Sequence, residues 1–535
     1  MPFSIVNARV FTGNSSNPWA HSVRVVNGKV VALDSEPDGA DDLIDAGGKV
    51  VLSSFGDGHA HPVFGGYEFL GPQLKGVDGV DGIVESVGRF AAAHPELEWI
   101  VGGSYESWLT PNGEFDARWL DAVVPDRPVV LRATDYHTVW CNSKALEIAA
   151  ITAETPDPAL GWIVRRPDGS PMGTLREWDA VDMVMNKVPT YSIDDQVRAI
   201  EIACREFART GITWVQDAWV DPPLIDAYLE ANRRGALSIR FNLALRADPR
   251  TWRDQLDWFQ EARNRIGSSD RLSCNTIKFF ADGVIEGATA AVRDGYTDDP
   301  HNHGMPVWEW DELRACVTAV DALGFQPHIH AIGDEGLTES LNAIEHAQKV
   351  NGSASHPRPV ITHVQMLNPA DIPRFASLGV VANFESLWAC NDPLQSELTA
   401  PRIGSEREMW QYPIRSILDA GAPISMGSDW PVSSQNPLEC LEVAVTRMVP
   451  GDTSIGVWNP AERISVTEAI SAYTAGCAFQ AGLENTWGTI EPGKAADVIM
   501  LSNDVFGIEP HLIHTVTVER TWCDGVEVFS HNDVA

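Results

Sequence analysis

Positive charge is scarce in this sequence: 39 Lys and Arg face 74 Asp and Glu, a formal net charge of −35 over 535 residues. Such a surface repels polyanions, which excludes nucleic acid and an anionic membrane as partners. Cysteine is sparse and scattered. The eight residues (141, 204, 274, 316, 390, 440, 477 and 523) form no C-x-x-C pair, the nearest two being Cys440 and Cys477. This excludes a zinc ribbon and a thioredoxin motif, and the thiols are expected to be reduced, buried and apolar in role. No apolar run reaches the roughly 18 residues of a membrane span, and the opening MPFSIVNARVFTGN has no basic stretch ahead of an apolar one. A soluble, cytoplasmic location is the expectation. A G-x-S-x-G elbow, an H-E-x-x-H helix and a G-x-G-x-x-G turn are missing too. One near-match misleads: in GTIEPGKA (488–495), Ala495 replaces the Ser or Thr of a phosphate loop and Pro492 removes a backbone donor, so a turn is expected.

What is present is an α/β rhythm. Residues 1–52 alternate apolar and polar positions around an Asn27-Gly28 turn, and residues 481–535 have the same texture, so the two ends are read as one composite β-sandwich. Between them (53–480) short apolar strands alternate with helical segments such as 197–211 and 313–324, which end in glycine. The strand segments are GITWVQDAW, IRFNLALRAD, NTIKFFADG, FQPHIHAIGD, RPVITHVQ, GVVANFES and APISMGSDWP, compactly spaced over about 220–430 as in a (β/α)8 TIM barrel. Residues 62–190 break this rhythm with loop-rich, Trp- and Pro-containing sequence, which marks an inserted subdomain after strand one.

Metal-capable side chains recur where these strands end: His59 and His61 in FGDGHAHP, Lys278 in TIKFFADG, His330 in PHIHAIGD, His363 in VITHVQ and Asp429 in SMGSDWP. In a barrel those ends form the active site. His59 and His61, two apart on a strand, face the same way and can reach one cation. His301 and His303 repeat the spacing in YTDDPHNHGMP with no strand beneath, and read as a solvated loop. His328 shares a face with His330, so the residues leave either as the ligand.

The ordered set, with DRPVVLRATDYHTVWCNSKALE around His137, GWIVRRPDGSPMGTLRE ending at Glu177, IKFFADGVIEGATA, HAIGDEG and GSDWPVSS, resembles the metal-dependent amidohydrolase superfamily along nearly the whole chain. It is most similar to the third amidohydrolase group, which includes N-substituted formamide deformylases. The resemblance implies the barrel, the terminal sandwich and the insertion. It also implies two divalent metal ions, zinc being expected: one on His59, His61 and Asp429, the second on His330 and His363, bridged by a carboxylated Lys278. An anion between two cations, and a buried lysine that would be costly as a cation, agree with that bridge. An ion pair with Asp282 is the plain alternative for Lys278. Asp429 would be both ligand and base, and His137 would face the substrate and stabilise an oxyanion; core or capping is the alternative for His137.

The implied activity is hydrolysis of the C–N bond of a small N-substituted amide, formamide-like, to carboxylate and amine, by a homodimer. Competing readings are an ester, carbamate or cyclic-amide hydrolase, a non-hydrolytic decarboxylase, or a metal-free binding or regulatory barrel. The intact ligand set argues against the last. Of 19 tryptophans, Trp108, Trp140, Trp162, Trp178, Trp219, Trp388 and Trp430 lie near these segments, and two or three are expected to wall an aromatic pocket. No Lys or Arg cluster accompanies the metal segments, which weighs against an anionic substrate.

Overall fold

The computed structural model describes residues 2–267, 269–352 and 358–533. Eight strands form one sheet, ordered in space as in sequence: β1 (Phe55–Ala60), β2 (Ile212–Val220), β3 (Arg240–Arg246), β4 (Leu272–Phe280), β5 (Gln326–Ala331), β6 (Val360–His363), β7 (Val381–Phe384) and β8 (Ile424–Met426). Every pair in this series is parallel. The ring nearly closes. Just past β8 the Asp429 N–H donates to His59 O and the His61 N–H to Trp430 O, each at 2.7 Å. Strands covered on both faces read as continuous apolar runs, which is why β2 is buried along almost its whole length.

The helices that cover the sheet follow from local chemistry. The one over Ile193–Arg209 starts where the Ser192 side chain accepts the Asp195 N–H at 3.1 Å and stops before Gly211, whose φ of +86° suits glycine. Val197, Ile200, Cys204 and Phe207 recur at helical spacing and bury one face in the main core. Burying a ring such as that of Phe207 is worth about 1.5–3 kcal/mol.

The chain ends are knitted together. Arg9–Phe11 and Val50–Ser53 lie in a six-stranded sheet with Val498–Leu501, Val518–Cys523 and Val526–Ser530. A four-stranded sheet of N-terminal residues shares one buried cluster with it, containing Phe3, Val25, Val51, Val498 and Trp522. Asn27 and Gly28 form the expected tight turn, with φ of +50° and +74°. Gly28 is also needed for space, because a Cβ there would lie 2.5 Å from the Asp524 carbonyl of the C-terminal hairpin.

Between β1 and β2, where loop-rich sequence is expected, the structure instead builds a five-stranded mixed sheet (Ile100–Tyr105, Val129–Ala133, Thr138–Cys141, Trp162–Arg165, Pro171–Arg176). These strands are short and bounded by Pro, Gly and Asp turns, so their alternation is hard to see in sequence. Phe115, Leu131 and Trp140 fill one face, and Val139, Ile163 and Leu175 the other. All eight cysteines are free and buried. Among the described residues no helix is long and apolar enough to cross a membrane.

Candidate active site

The C-terminal ends of the barrel strands open into a cavity of about 550 Å³. Parallel strands all deliver those ends to one rim, so residues far apart in sequence meet there. His59 and His61 come from β1, Lys278 from β4, His330 from β5, His363 from β6 and Asp429 from the turn after β8, and all six are buried.

The geometry converges on Asp429. Its Oδ1 lies 2.9 Å from His61 Nε2 and 3.3 Å from His59 Nε2, yet takes no hydrogen bond. Lys278 Nζ stands 3.4 Å from the same His59 Nε2. Burial, reinforced by the Lys278 ammonium, holds the His59 imidazole well below its usual pKa, and burial lowers His61. Both rings are therefore neutral and offer lone pairs. Two neutral imidazoles and a carboxylate aimed at one point, with an orphaned carboxylate oxygen among them, fit a divalent ion of zinc type.

Lys278 is fully buried, 4.5 Å from the centre of the Phe280 ring, and burial pushes its amine down to about 7. The alternative partner, Asp282, is engaged elsewhere: it accepts the N–H groups of Ala291 and Gly333 at 2.8 Å and of Ile332 at 3.0 Å. His330 and His363 stand with ring centres 4.5 Å apart. His363 Nδ1 is fixed 2.8 Å from Glu385 Oε2, and His330 Nε2 lies 3.1 Å from Gly283 O. His328 sits beneath, its Nε2 2.7 Å from His59 Nδ1, so it backs His59 while His330 lines the cavity.

His137 arrives from the insertion. Asp135 Oδ1 accepts the N–H groups of His137 at 2.8 Å and Thr138 at 3.0 Å, which shapes the turn that carries the ring over the barrel mouth. His137 Nδ1 is 2.9 Å from Glu177 Oε2. Burial pushes this imidazole down, but the Glu177 carboxylate prevails and lifts it to about 9, so the ring is cationic at neutral pH. Asp429, His363 and Glu177 all have left-handed backbones, with φ of +53°, +72° and +62°. Such conformations cost roughly 1–3 kcal/mol each and cluster at functional sites.

Four of the seven tryptophans line the cavity, more than the expected two or three: Trp108, Trp178, Trp219 and Trp388. Trp178, Trp219 and Phe280 pack with ring centres 4.6–5.1 Å apart. Trp140 and Trp430 are core, and Trp162 lies under Arg176. The sequence reading missed Glu385 and the face-on stacking of Trp388 against His363 at 5.4 Å. The available signal was a carboxylate closing the apolar segment GVVANFES. The phosphate-loop look-alike is a turn whose Lys494 is tied to Glu484 O at 2.7 Å and Thr489 Oγ1 at 2.6 Å.

A family model described as "Amidohydrolase family" matches residues 42–529. The chain is 32% identical over 520 residues to the protein LONG AFTER FAR-RED 3 of Arabidopsis thaliana, covering 94% of this chain and 87% of that one. It is 25% identical over 545 residues to N-substituted formamide deformylase of Arthrobacter pascens, covering 98% and 97%. Among solved structures, a metal-dependent hydrolase of Pyrococcus horikoshii matches with a TM-score of 0.75 at 22% identity, over 95% of this chain and 99% of that one.

Proposed function

The chain belongs to the amidohydrolase family, hydrolytic enzymes acting on C–N bonds with the help of metal, and from that premise we propose that its substrate is a neutral N-substituted amide, a formamide above all. The observation that carries the reading is the unpaired Asp429 Oδ1, flanked by two neutral imidazoles, at the base of an aromatic-walled cavity. His59, His61 and Asp429 would hold one divalent ion, and His330 and His363 the other. Lys278, whose buried amine is neutral over much of the physiological range, would bridge them as a carbamate. Bound there, zinc ions would acidify water toward pH 7 and polarise a carbonyl.

The chain's own residues would do the rest. Asp429 would take the proton of the attacking water at its carboxylate and pass it to the leaving nitrogen. His137, cationic and with Nδ1 turned to Glu177, presents Nε2 to the developing charge on the carbonyl oxygen. Trp178, Trp219 and Phe280 provide a flat apolar bed for a ring-bearing substituent on nitrogen. A cavity of about 550 Å³ far exceeds a one-carbon acyl group, so most of it falls to that substituent. Lys75 and Arg132 line it, but Lys75 Nζ donates to Pro431 O at 2.9 Å and Arg132 Nη1 to Tyr136 O at 3.2 Å, beside Glu106, Asp135 and Asp182. That lining does not favour a carboxylate-bearing substrate. The deformylase name of one relative, at 25% identity, supports the same choice.

The test compares N-benzylformamide with N-benzylacetamide, benzyl acetate and an N-acyl amino acid at equal concentration, with metal analysis of Lys278→Ala. N-benzylformamide is expected to turn over fastest, and the variant to lose most of its metal. Preference for the ester or the anionic amino acid overturns the substrate, and full metal content in Lys278→Ala overturns the bridge.

A further inference from the structure

Glu177 follows the last strand of the insertion with a left-handed backbone, and only 3% of it is exposed. Both of its oxygens are engaged. Oε2 meets His137 Nδ1 at 2.9 Å, and Oε1 accepts the hydroxyl of Thr289. Its own N–H donates to His137 O at 2.8 Å. Thr289 belongs to the loop that follows β4, where its Oγ1 also accepts the Val284 N–H at 2.8 Å. Residue 283 must be glycine for this to form: a Cβ there would lie 2.2 Å from Thr289 Oγ1 and 2.8 Å from Glu177 Oε1. The carbonyl of the same Gly283 is the partner of His330 Nε2. One carboxylate therefore joins the insertion's 134–137 turn to the barrel loop 283–289, which in turn touches a proposed metal ligand.

We propose that Glu177 is a positioning residue: it clamps the insertion to the barrel and fixes the His137 imidazole with Nε2 toward the cavity. It meets no reacting atom, since both oxygens are turned away to His137 and Thr289. Its contribution must pass through His137. Groups that act as a unit are non-additive when removed together, and this gives the inference a test that simple destabilisation does not satisfy.

The inference rests on the substrate reading above for its kinetic arm and on geometry alone for its second arm. Glu177→Ala is expected to lower kcat by about 10²-fold and Glu177→Gln, which keeps one acceptor, by about 10-fold, with KM within about threefold of wild type. In a His137→Ala background either change should cost less than about twofold more. Hydrogen exchange of the amides at 135–138 and 284–290 is expected to quicken by about 10-fold in Glu177→Ala, while β2 is unaffected. Losses that multiply with His137→Ala, wild-type kcat in Glu177→Ala, or unchanged exchange in both loops each overturn the clamp. If the wild-type enzyme turns over none of the amides, the substrate reading fails and the exchange result alone decides: faster exchange upholds the clamp, unchanged exchange overturns it.

Discussion

Two regions of this protein carry the same three-residue pattern, His59-Ala60-His61 at the end of β1 and His301-Asn302-His303 in the loop after β4, and their fates differ. The first pair is buried, and each ring brings a nitrogen within 3.3 Å of Asp429 Oδ1. The second pair is exposed; His303 Nδ1 faces the Val292 and Arg293 carbonyls at 3.2 and 3.1 Å, and the His301 N–H donates to Asp299. A strand turns alternate side chains to one face, whereas a loop sets no such period. The third partner then comes from the turn after β8, last in sequence but beside β1 where the ring nearly closes. Burial alone does not make a site either. Asp217 is a buried carboxyl in β2, but Tyr228 OH at 2.6 Å and the Trp219 N–H at 3.1 Å satisfy it.

The sharpest way to break this comparison is to delete one histidine from the first pair and both from the second. His61→Ala is expected to empty the site and cut turnover by about 10⁴-fold or more, while the double change His301→Ala and His303→Ala stays within about twofold. Metal per chain by elemental analysis and initial rates decide it; equal losses in both would mean that strand placement is irrelevant. Asp429→Asn comes next: it keeps one oxygen donor but cannot take a proton, so kcat should fall by about 10² to 10⁴ with the thermal midpoint little changed. Near-wild-type turnover would remove Asp429 from the base role. His328→Leu removes only the support behind His59 and should weaken metal binding by roughly 10- to 100-fold, read by competition with a chelator. An unchanged affinity would make His328 mere packing.

The smallest effect belongs to Asp217. Burial raises its carboxyl to about 7 from the ordinary 3.8. Because the folded state then binds more protons than the unfolded state between about pH 4 and 7, its contribution to stability falls as pH rises through that window and is flat above it. Asp217→Asn lacks that slope, so the wild-type thermal midpoint should drop by a few degrees relative to the variant from acid to neutral pH. A constant difference would mean that Asp217 is ionised throughout.

Much of this layout is legible in the sequence because parallel barrel strands are apolar runs with a polar residue at one end. That pattern marks β2 to β8 and places His59, His61, Lys278, His330, His363 and Asp429 on one rim. It cannot say which side chain stands behind which. His328 and His330 have the same face and neighbours in sequence, and only the fold shows one against His59 and the other at the cavity. Glu385 and the reach of Glu177 to Thr289 depend on long-range approach with no local period. The insertion's sheet escapes for a third reason: its strands are four to six residues long and paired in mixed directions.

The sheet shared by the two chain ends sets a timetable for folding. Ser53, two residues before β1, pairs with Val498, and Ser53 Oγ donates to the Asp497 carbonyl across 444 residues. During synthesis the N-terminal strands emerge first and then wait, with open edges, until residues 498–530 have left the ribosome. Loop closure over such separations is slow, and unpaired edges invite association with other chains. Chaperone demand should therefore track translation of the last strands more than the sturdiness of the finished barrel.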